Sequence, residues 1–505
     1  MTAISPKGTT NSSSANAPAP YTGFDRLFIG GKWVAGRSEK KLRPINPYSQ
    51  DVIMEIPAAD KRDIEDAYQE AQRAQVAWAE TLPSERSQIM RRAVDIMDAR
   101  REEMIAWSIR EAGSPRKKAM LEWKAARDVM EQAVSAPYGA EGRILPSDIL
   151  GKESRVYRRP VGVVAVVSPW DFALNLANRS VAPALALGNA VVLKPPSNTP
   201  VTGGLLFAKI FEEAGLPSGV FSVVAGSAHE IGDAFVSHPI PRVITFTGST
   251  QAGRHIGELA MTGPIMKRAS LELGGNSPLV VLDDADLELA VKAAVFGKFL
   301  NSGQICMSIN RLIVDERVYD EFVERLLTRV GNLKMGDPND PDTDIGPIID
   351  EAQLNSHLKH IQQARQEGAT QLLGGEPDGL MLPPHIFVDV NNQMSVAREE
   401  MFGPIVSIIK VRNEAEALQV ANDTEYGLSS AVFTRDEGRG LRFALRMEAG
   451  MTHINDQTVN DLPNAPFGGE KNSGIGRFGG NWAIEEFTTD HWITVQHTPR
   501  TYPLG

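Results

Sequence analysis

From residue 161 onward this chain of 505 residues alternates short apolar runs with amphipathic stretches, and that alternation limits the possible folds more than any other feature. Apolar runs at 161–167, 190–193, 220–225 and 242–247 are separated by helical patterns at 202–214, at 228–237 and after Ser249. Repeated strand–helix alternation predicts a parallel sheet with crossover helices. A second series of the same kind starts near Pro278 and runs to about Pro466, with strands at 278–282 and 311–314 and helices at 287–300 and 319–332.

The first 160 residues read differently. Residues 1–20 are rich in Ser, Thr, Asn, Ala and Pro, and they lack the basic start and apolar stretch of a secretory signal; they are expected to be a disordered tail. Two-strand character surrounds the Gly30-Gly31 turn. Helical periodicity covers 61–80, 83–112 and 115–134, with Ala67, Ala71, Ala74 and Trp78 on one face. Segment 139–160 breaks the alternation and reads as a β-hairpin leaving the domain body, which a final strand at 492–496 could join.

Bulk composition excludes several classes. A net charge of -11, spread along the chain, argues against nucleic acid or an anionic membrane as the main partner. No segment approaches the ~18 apolar residues of a membrane span. A single cysteine excludes an intrachain disulfide, and nine histidines without ligand spacing predict no structural metal. The default location is cytoplasmic.

That one cysteine, Cys306, follows Asn301-Ser302-Gly303-Gln304-Ile305. A lone cysteine is ordinarily a small buried hydrophobe. Here, however, flexible and polar residues are brought up to the sulfur. Upstream, Glu272 is a single acid inside the apolar, glycine-rich run Leu271-Glu272-Leu273-Gly274-Gly275-Asn276. A thiol nucleophile and a carboxylate able to activate water are the minimum equipment for chemistry through a thioester.

Three further runs close predicted strands: Ser168-Pro169-Trp170-Asp171-Phe172, Leu193-Lys194-Pro195-Pro196-Ser197, and Phe246-Thr247-Gly248-Ser249-Thr250-Gln251-Ala252-Gly253. Ligands of open α/β sheets bind beyond the carboxyl ends of strands, and a helix N-terminus there offers free N–H groups to a pyrophosphate. Taken alone, Gly248 and Gly253 are weak evidence for such a site and read first as a plain tight turn.

Together these runs resemble the aldehyde dehydrogenase superfamily from about Phe24 to Pro499. The resemblance rests on Gly-Ser-Thr at 248–250, Glu-Leu-Gly-Gly at 272–275, Gly-Gln-x-Cys at 303–306, Glu-x-Phe-Gly-Pro at 400–404 and Pro-Phe-Gly-Gly at 466–469, in the family's order. Cys306-Met307-Ser308-Ile309-Asn310-Arg311 and Phe487-Thr488-Thr489-Asp490-His491-Trp492 are similar to the bacterial benzaldehyde and vanillin dehydrogenases. The resemblance implies a Rossmann-type cofactor domain (21–136 and 161–271), a second α/β catalytic domain (272–470), and an oligomerisation element formed by 137–160 with the C-terminal segment 471–505.

It also implies roles. Cys306 attacks the aldehyde, and Glu272 deprotonates the hydrolytic water. Lys194 binds the adenosine ribose of NAD or NADP, Glu400 binds the nicotinamide ribose, and Phe402 packs near the nicotinamide. Without the family, Glu400 and Phe402 would be read as a solvated charge and a core aromatic. Ser168, Pro169, Trp170, Ser197, Gly226, Gly248, Ser249, Gly253 and Leu273 complete the expected cofactor site. Phe172, Ile305, Met307 and Phe467 are expected tunnel walls. Arg179 is a candidate tunnel cation for a carboxylate-bearing substrate, or else a surface or interface arginine. The implied partner is a small-molecule aldehyde, aromatic in the first reading and a semialdehyde or aliphatic aldehyde in the alternative. A reading of another class is a silent nucleotide-binding structural relative. A homodimer or homotetramer is expected.

Two positions depart from the family pattern. Asp171 stands where the family has an asparagine whose amide helps hold the oxyanion; an ionised Asp is acceptor-only, whereas a protonated one can donate. Asn175 is the alternative donor. The second departure, Ser197, stands where NAD-preferring relatives commonly carry a glutamate that repels a 2′-phosphate, so NADP is favoured.

Overall fold

The computed structural model describes residues 18–504. The expectation of a disordered tail at 1–20 lies, through residue 17, outside the described residues.

The first strand–helix series builds an eight-stranded sheet. In spatial order its strands are Gly474–Ile475, Arg268–Glu272, Val243–Thr247, Val163–Val167, Ala190–Lys194, Phe221–Val223, Leu27–Ile29 and Lys32–Val34. The five central strands are parallel, and antiparallel strands close both edges. The second series builds a seven-stranded sheet ordered Thr370–Leu373, His385–Val388, Ile405–Val411, Ile309–Asp315, Ser277–Val281, Ser429–Phe433 and Met451–Ile454, parallel except at its first strand. Side chains alternate across this sheet as the strand period requires. Leu279, Val281, Leu312 and Val314 enter one core cluster, while Val280, Leu282 and Ile313 enter the cluster on the opposite face. Burial on both faces is why these strands read as unbroken apolar runs.

The segment at 139–160 does leave the body. Strand Lys152–Pro160 pairs with Arg143–Leu145 on one side and, antiparallel over nine residues from Thr488↔Pro160 to Gln496↔Lys152, with Thr488–Gln496 on the other.

Helix Lys61–Glu80 matches its periodicity, and its N-terminus is fixed by a capping box between Asp60 and Asp63. The expected single helix at 83–112 is two, Pro83–Ala99 and Arg101–Ala112. They part at Arg100, whose guanidinium is drawn to Glu103 (2.9 Å) and Glu213 (3.1 Å). Tertiary pairing rather than Gly or Pro makes this break, so periodicity gave no sign of it. The fourth helix, Arg116–Gly139, overruns the end expected at 134 because Pro137 is accommodated in its last turn.

Candidate functional site

The chain passes from strand Val163–Val167 to Ala190–Lys194 on one side, and later returns to Val243–Thr247 on the other. That reversal opens a crevice beyond the carboxyl ends, the general ligand site of such sheets. Ser168, Pro169 and Trp170 leave the first strand there, Lys194 ends the second, and Gly248 and Ser249 follow the third. Helix Thr250–Thr262 starts in the crevice, with Ser249 Oγ accepting the Ala252 N–H at 3.3 Å. The nearby glycines chiefly serve close packing: a Cβ on Gly253 would meet Leu273 Cδ2 at 2.2 Å, and one on Gly248 would meet the Phe246 ring at 2.5 Å.

The residues present fit a dinucleotide. Lys194 is buried, its Nζ meets only the Pro195 carbonyl at 3.2 Å among the described residues, and desolvation draws its pKa down to about 8. Such an amine gains from a ligand hydroxyl. Ser197 is exposed, and its Oγ donates to the Gly226 carbonyl at 3.4 Å. Ser168 Oγ is engaged with the Gly203 carbonyl. Glu400 Oε1 accepts the Gly275 N–H at 2.9 Å, and a Cβ on Gly274 would meet its other oxygen at 2.5 Å. Desolvation pushes the Glu400 carboxyl up to about 8. Phe402 stands edge-on to Trp170, with centroids 5.5 Å apart.

Cys306 sits at the end of an unusual loop. Helix Leu287–Phe299 runs into a turn at Leu300–Gly303 in which Asn301, Ser302 and Gly303 take φ of 53°, 57° and 74°. Successive left-handed residues persist only where the surroundings over-determine them. Gln304 does this here: its amide N–H groups donate to the carbonyls of Asn301 and Pro347, and its Oε1 accepts from the Ile349 N–H. Gly303 is obligatory, because a Cβ there would lie 2.2 Å from the Gly403 carbonyl oxygen. Cys306 is buried, and Ile305, Met307, Phe467, Phe478, Phe172 and Phe402 pack around it. Burial pushes its thiol pKa well up, the negative charges of Glu272 and Asp171 push it further, and Arg179 opposes them.

Glu272 ends its strand fully buried. Arg179 Nη2 donates to its Oε2 at 2.6 Å and to Thr247 Oγ1 at 2.9 Å. Thus Arg179 is neither at the surface nor free for a substrate carboxylate through this nitrogen. It borders a neighbouring cavity with Asp461 and Phe478, rather than the one holding Cys306.

Asp171 is buried beside Cys306. Desolvation, reinforced by Glu272, pushes its carboxyl up to about 7. Its turn is held from below by two residues the sequence did not single out. Lys118 Nζ donates to the Asp171 carbonyl at 2.6 Å and to Glu122 at 2.6 Å, and Glu122 Oε1 accepts the Leu174 N–H at 2.8 Å. Phe172 provides no side-chain cap to helix Ala173–Ala186, so Glu122 caps it from another helix. Asn175, the alternative oxyanion donor, directs Nδ2 to Asp461 at 2.9 Å.

One cavity of about 260 Å³ therefore gathers Pro169, Trp170, Asp171, Gly248, Ser249, Glu272, Cys306, Glu400 and Phe402. Gln353, Ser356 and His360, from helix Glu351–Gln366, close its far side. On a polar helix they carry no sequence signal. Lys194, Ser197 and Gly226 lie outside this cavity, at the ends of strands Ala190–Lys194 and Phe221–Val223.

Comparison with known proteins agrees with this geometry. The pattern of the aldehyde dehydrogenase family matches residues 33–493. A vanillin dehydrogenase of Corynebacterium glutamicum is 52% identical over 482 residues, covering 95% of this chain and 100% of that protein. A benzaldehyde dehydrogenase of Bacillus subtilis is 48% identical, over 96% of this chain and 99% of that one. Among solved structures, an NAD-dependent benzaldehyde dehydrogenase from Corynebacterium glutamicum superposes with a TM-score of 0.88 at 48% identity, covering 95% of this chain and 99% of that one. An NADP-dependent enzyme of E. coli superposes at 0.91 with 35% identity, covering 94% and 98%. With the five parallel strands of the first sheet, the whole second sheet and the crevice inside the matched span, the chain belongs to the aldehyde dehydrogenase family and is an NAD(P)-dependent enzyme that oxidises an aldehyde to its acid.

Proposed function

We propose that this enzyme acts on aromatic aldehydes of the benzaldehyde and vanillin type, through a thioester on Cys306. The observation that carries the reading is the shared cavity of Cys306 and Glu272, lined by Trp170 and Phe402, with Phe172, Ile305, Met307 and Phe467 outside its lining but in the apolar cluster that includes Cys306. Vanillin and benzaldehyde dehydrogenases among its relatives support the ring.

The Cys306 thiol first releases its proton to solvent, and the thiolate adds to the carbonyl carbon and leaves a negative oxygen. A bound NAD(P)+, held by Lys194, Ser197 and Glu400, would supply the hydride acceptor for that carbon. Collapse of the oxyanion gives the thioester. Glu272 takes a proton from water, the oxygen adds to the thioester carbon, and the acid departs as the Cys306 sulfur leaves. Asp171, lining the same cavity, donates a hydrogen bond to the oxyanion while protonated. Lys194, Ser197 and Glu400 hold the cofactor's riboses. NADP+ is accepted and preferred, because exposed Ser197 places no negative charge where a 2′-phosphate would sit.

A semialdehyde would want the Arg179 cation, which is engaged with Glu272. Intact Cys306 and Glu272 count against a silent relative. A homodimer or homotetramer belongs to the same reading. The sheet of Arg143–Leu145, Lys152–Pro160 and Thr488–Gln496 has two open edges and carries Ile144 (77% exposed) and Trp492 (65%). Light scattering should show more than a monomer at micromolar concentration. Among the described residues no helix is long and apolar enough to cross a membrane, and we place the enzyme in the cytoplasm.

The decisive experiment follows NAD(P)H in wild type and Glu272→Gln with benzaldehyde, vanillin and succinic semialdehyde. The variant should give a burst near one NAD(P)H per site and then stall, with the aromatic substrates preferred in wild type. Wild-type turnover in Glu272→Gln would remove the base from the mechanism.

A further inference from the structure

Glu272 has two carboxylate oxygens in two different situations. Oε2 receives Arg179 Nη2 at 2.6 Å, whereas Oε1 is buried and has no hydrogen-bond partner among the described residues. Glu272 borders the cavity of Cys306, and Arg179 borders the adjoining one, so the arginine meets the carboxylate from behind.

The guanidinium cannot swing freely. It lies over the rings of both Phe467 and Phe478, 4.5 Å from each centroid, and the nitrogen that holds Glu272 also holds Thr247 Oγ1. A cation over an aromatic face is attracted by its quadrupole. Arg179 and Glu272 are 3% and 0% exposed, and Arg179 is the sole ion-pair partner of Glu272 among the described residues. Stability alone does not account for the pair, since a buried ion pair often contributes less than apolar residues of similar volume. An unpaired carboxylate at this depth would be strongly disfavoured, and the other acids around the cavity, Asp171 and Glu400, offer it no counter-charge.

We propose that Arg179 is a positioning residue for the hydrolytic step: it pins Oε2 of Glu272 and supplies its counter-charge, so that Oε1 alone is presented to the water that attacks the Cys306 thioester. The inference rests on the reading of Glu272 as the base. Arg179 touches neither the water nor the thioester. During the step Oε1 gains the water proton, the hydroxyl oxygen bonds to the acyl carbon, and the carbon–sulfur bond breaks with its electron pair returning to Cys306.

The test combines two readouts on full-length enzyme with saturating NAD(P)+ and benzaldehyde: the NAD(P)H time course, and the intact mass of the protein after acid quenching. Arg179→Met should keep a burst near one NAD(P)H per site, accumulate a benzoyl adduct on Cys306, and lose about 10- to 10²-fold in steady-state turnover, the usual penalty for a misplaced catalytic group. Arg179→Lys, which keeps a cation but not the fork, should recover part of that loss. Should the Met variant fail to fold, the Lys variant carries the test, with a full burst and turnover below wild type. Unchanged turnover, or a burst lost in proportion to turnover, overturns the proposal. Glu272→Gln runs in parallel. If it accumulates no adduct, the base assignment itself fails; if it does and Arg179→Met does not, only the role of Arg179 fails.

Discussion

The nucleophile loop and the ribose rim are both loops at strand or helix ends, yet they are built on opposite terms. Around Cys306, three successive residues are left-handed, one glycine is sterically obligatory, and Gln304 makes three hydrogen bonds inside a buried shell. Around Ser197, an exposed side chain makes one hydrogen bond of 3.4 Å. Where the backbone is over-determined, as around Cys306, a side chain is fixed in place; where an exposed side chain makes one long hydrogen bond, as at Ser197, it can be exchanged with little disturbance.

The strongest break comes at the fixed end. Cys306→Ala should abolish aldehyde oxidation while leaving melting temperature and cofactor binding unchanged. Residual turnover above about one per cent, in protein of verified mass, would end the covalent mechanism.

Asp171→Asn probes a position between the two extremes, buried like the loop but open to exchange. With its carboxyl pushed up to about 7, Asp171 is protonated and donating below that pH, and ionised and repelling above it. The asparagine donates at every pH. The variant-to-wild-type ratio of kcat/KM should therefore stay near one in acid and climb through neutrality, towards roughly 10- to 10³-fold where the wild-type group is ionised. A flat ratio would mean that Asp171 does not face the oxyanion.

The smallest effect is expected at the rim. Ser197→Glu should weaken NADP+ relative to NAD+, measured as the ratio of Kd values. Because the position is exposed, the like-charge penalty is nearer the aqueous value of about 1 kcal/mol than the several expected in a dry site. Equal weakening of both cofactors would place Ser197 away from the 2′ position and blur the contrast with the loop.

The strand–helix alternation made both sheets legible, and Cys306 and Glu272 stood out because glycine and polar neighbours were wrong for a core cysteine and a surface acid. What surrounds them was less visible. Arg179 and Glu272 are 93 residues apart in sequence, and nothing local signals their contact. Lys118 and Glu122, at i and i+4 on a helix, have the spacing of an ordinary solvated pair, and only the fold turns that pair inward beneath Asp171. The split at Arg100 was hidden for the same reason. Partners supplied by another part of the chain leave no periodicity.

Strand Arg268–Glu272 lies one strand in from the edge of the eight-stranded sheet, and Ser277–Val281 lies in the interior of the seven-stranded one, with only residues 273–276 between them. This short link is clamped. Ser473 Oγ donates to the Gly274 carbonyl, Glu400 takes the Gly275 N–H, and Arg311 grips the side-chain and backbone oxygens of Asn276. If one sheet rocks against the other to admit or release a ligand, the link acts as a fulcrum. Displacement grows with distance from a fulcrum, so residues at the outer rim sweep through the largest arcs while Glu272, next to the pivot, scarcely travels. In such a motion the Glu272 carboxylate would keep its aim on Cys306 while the outer rim moved.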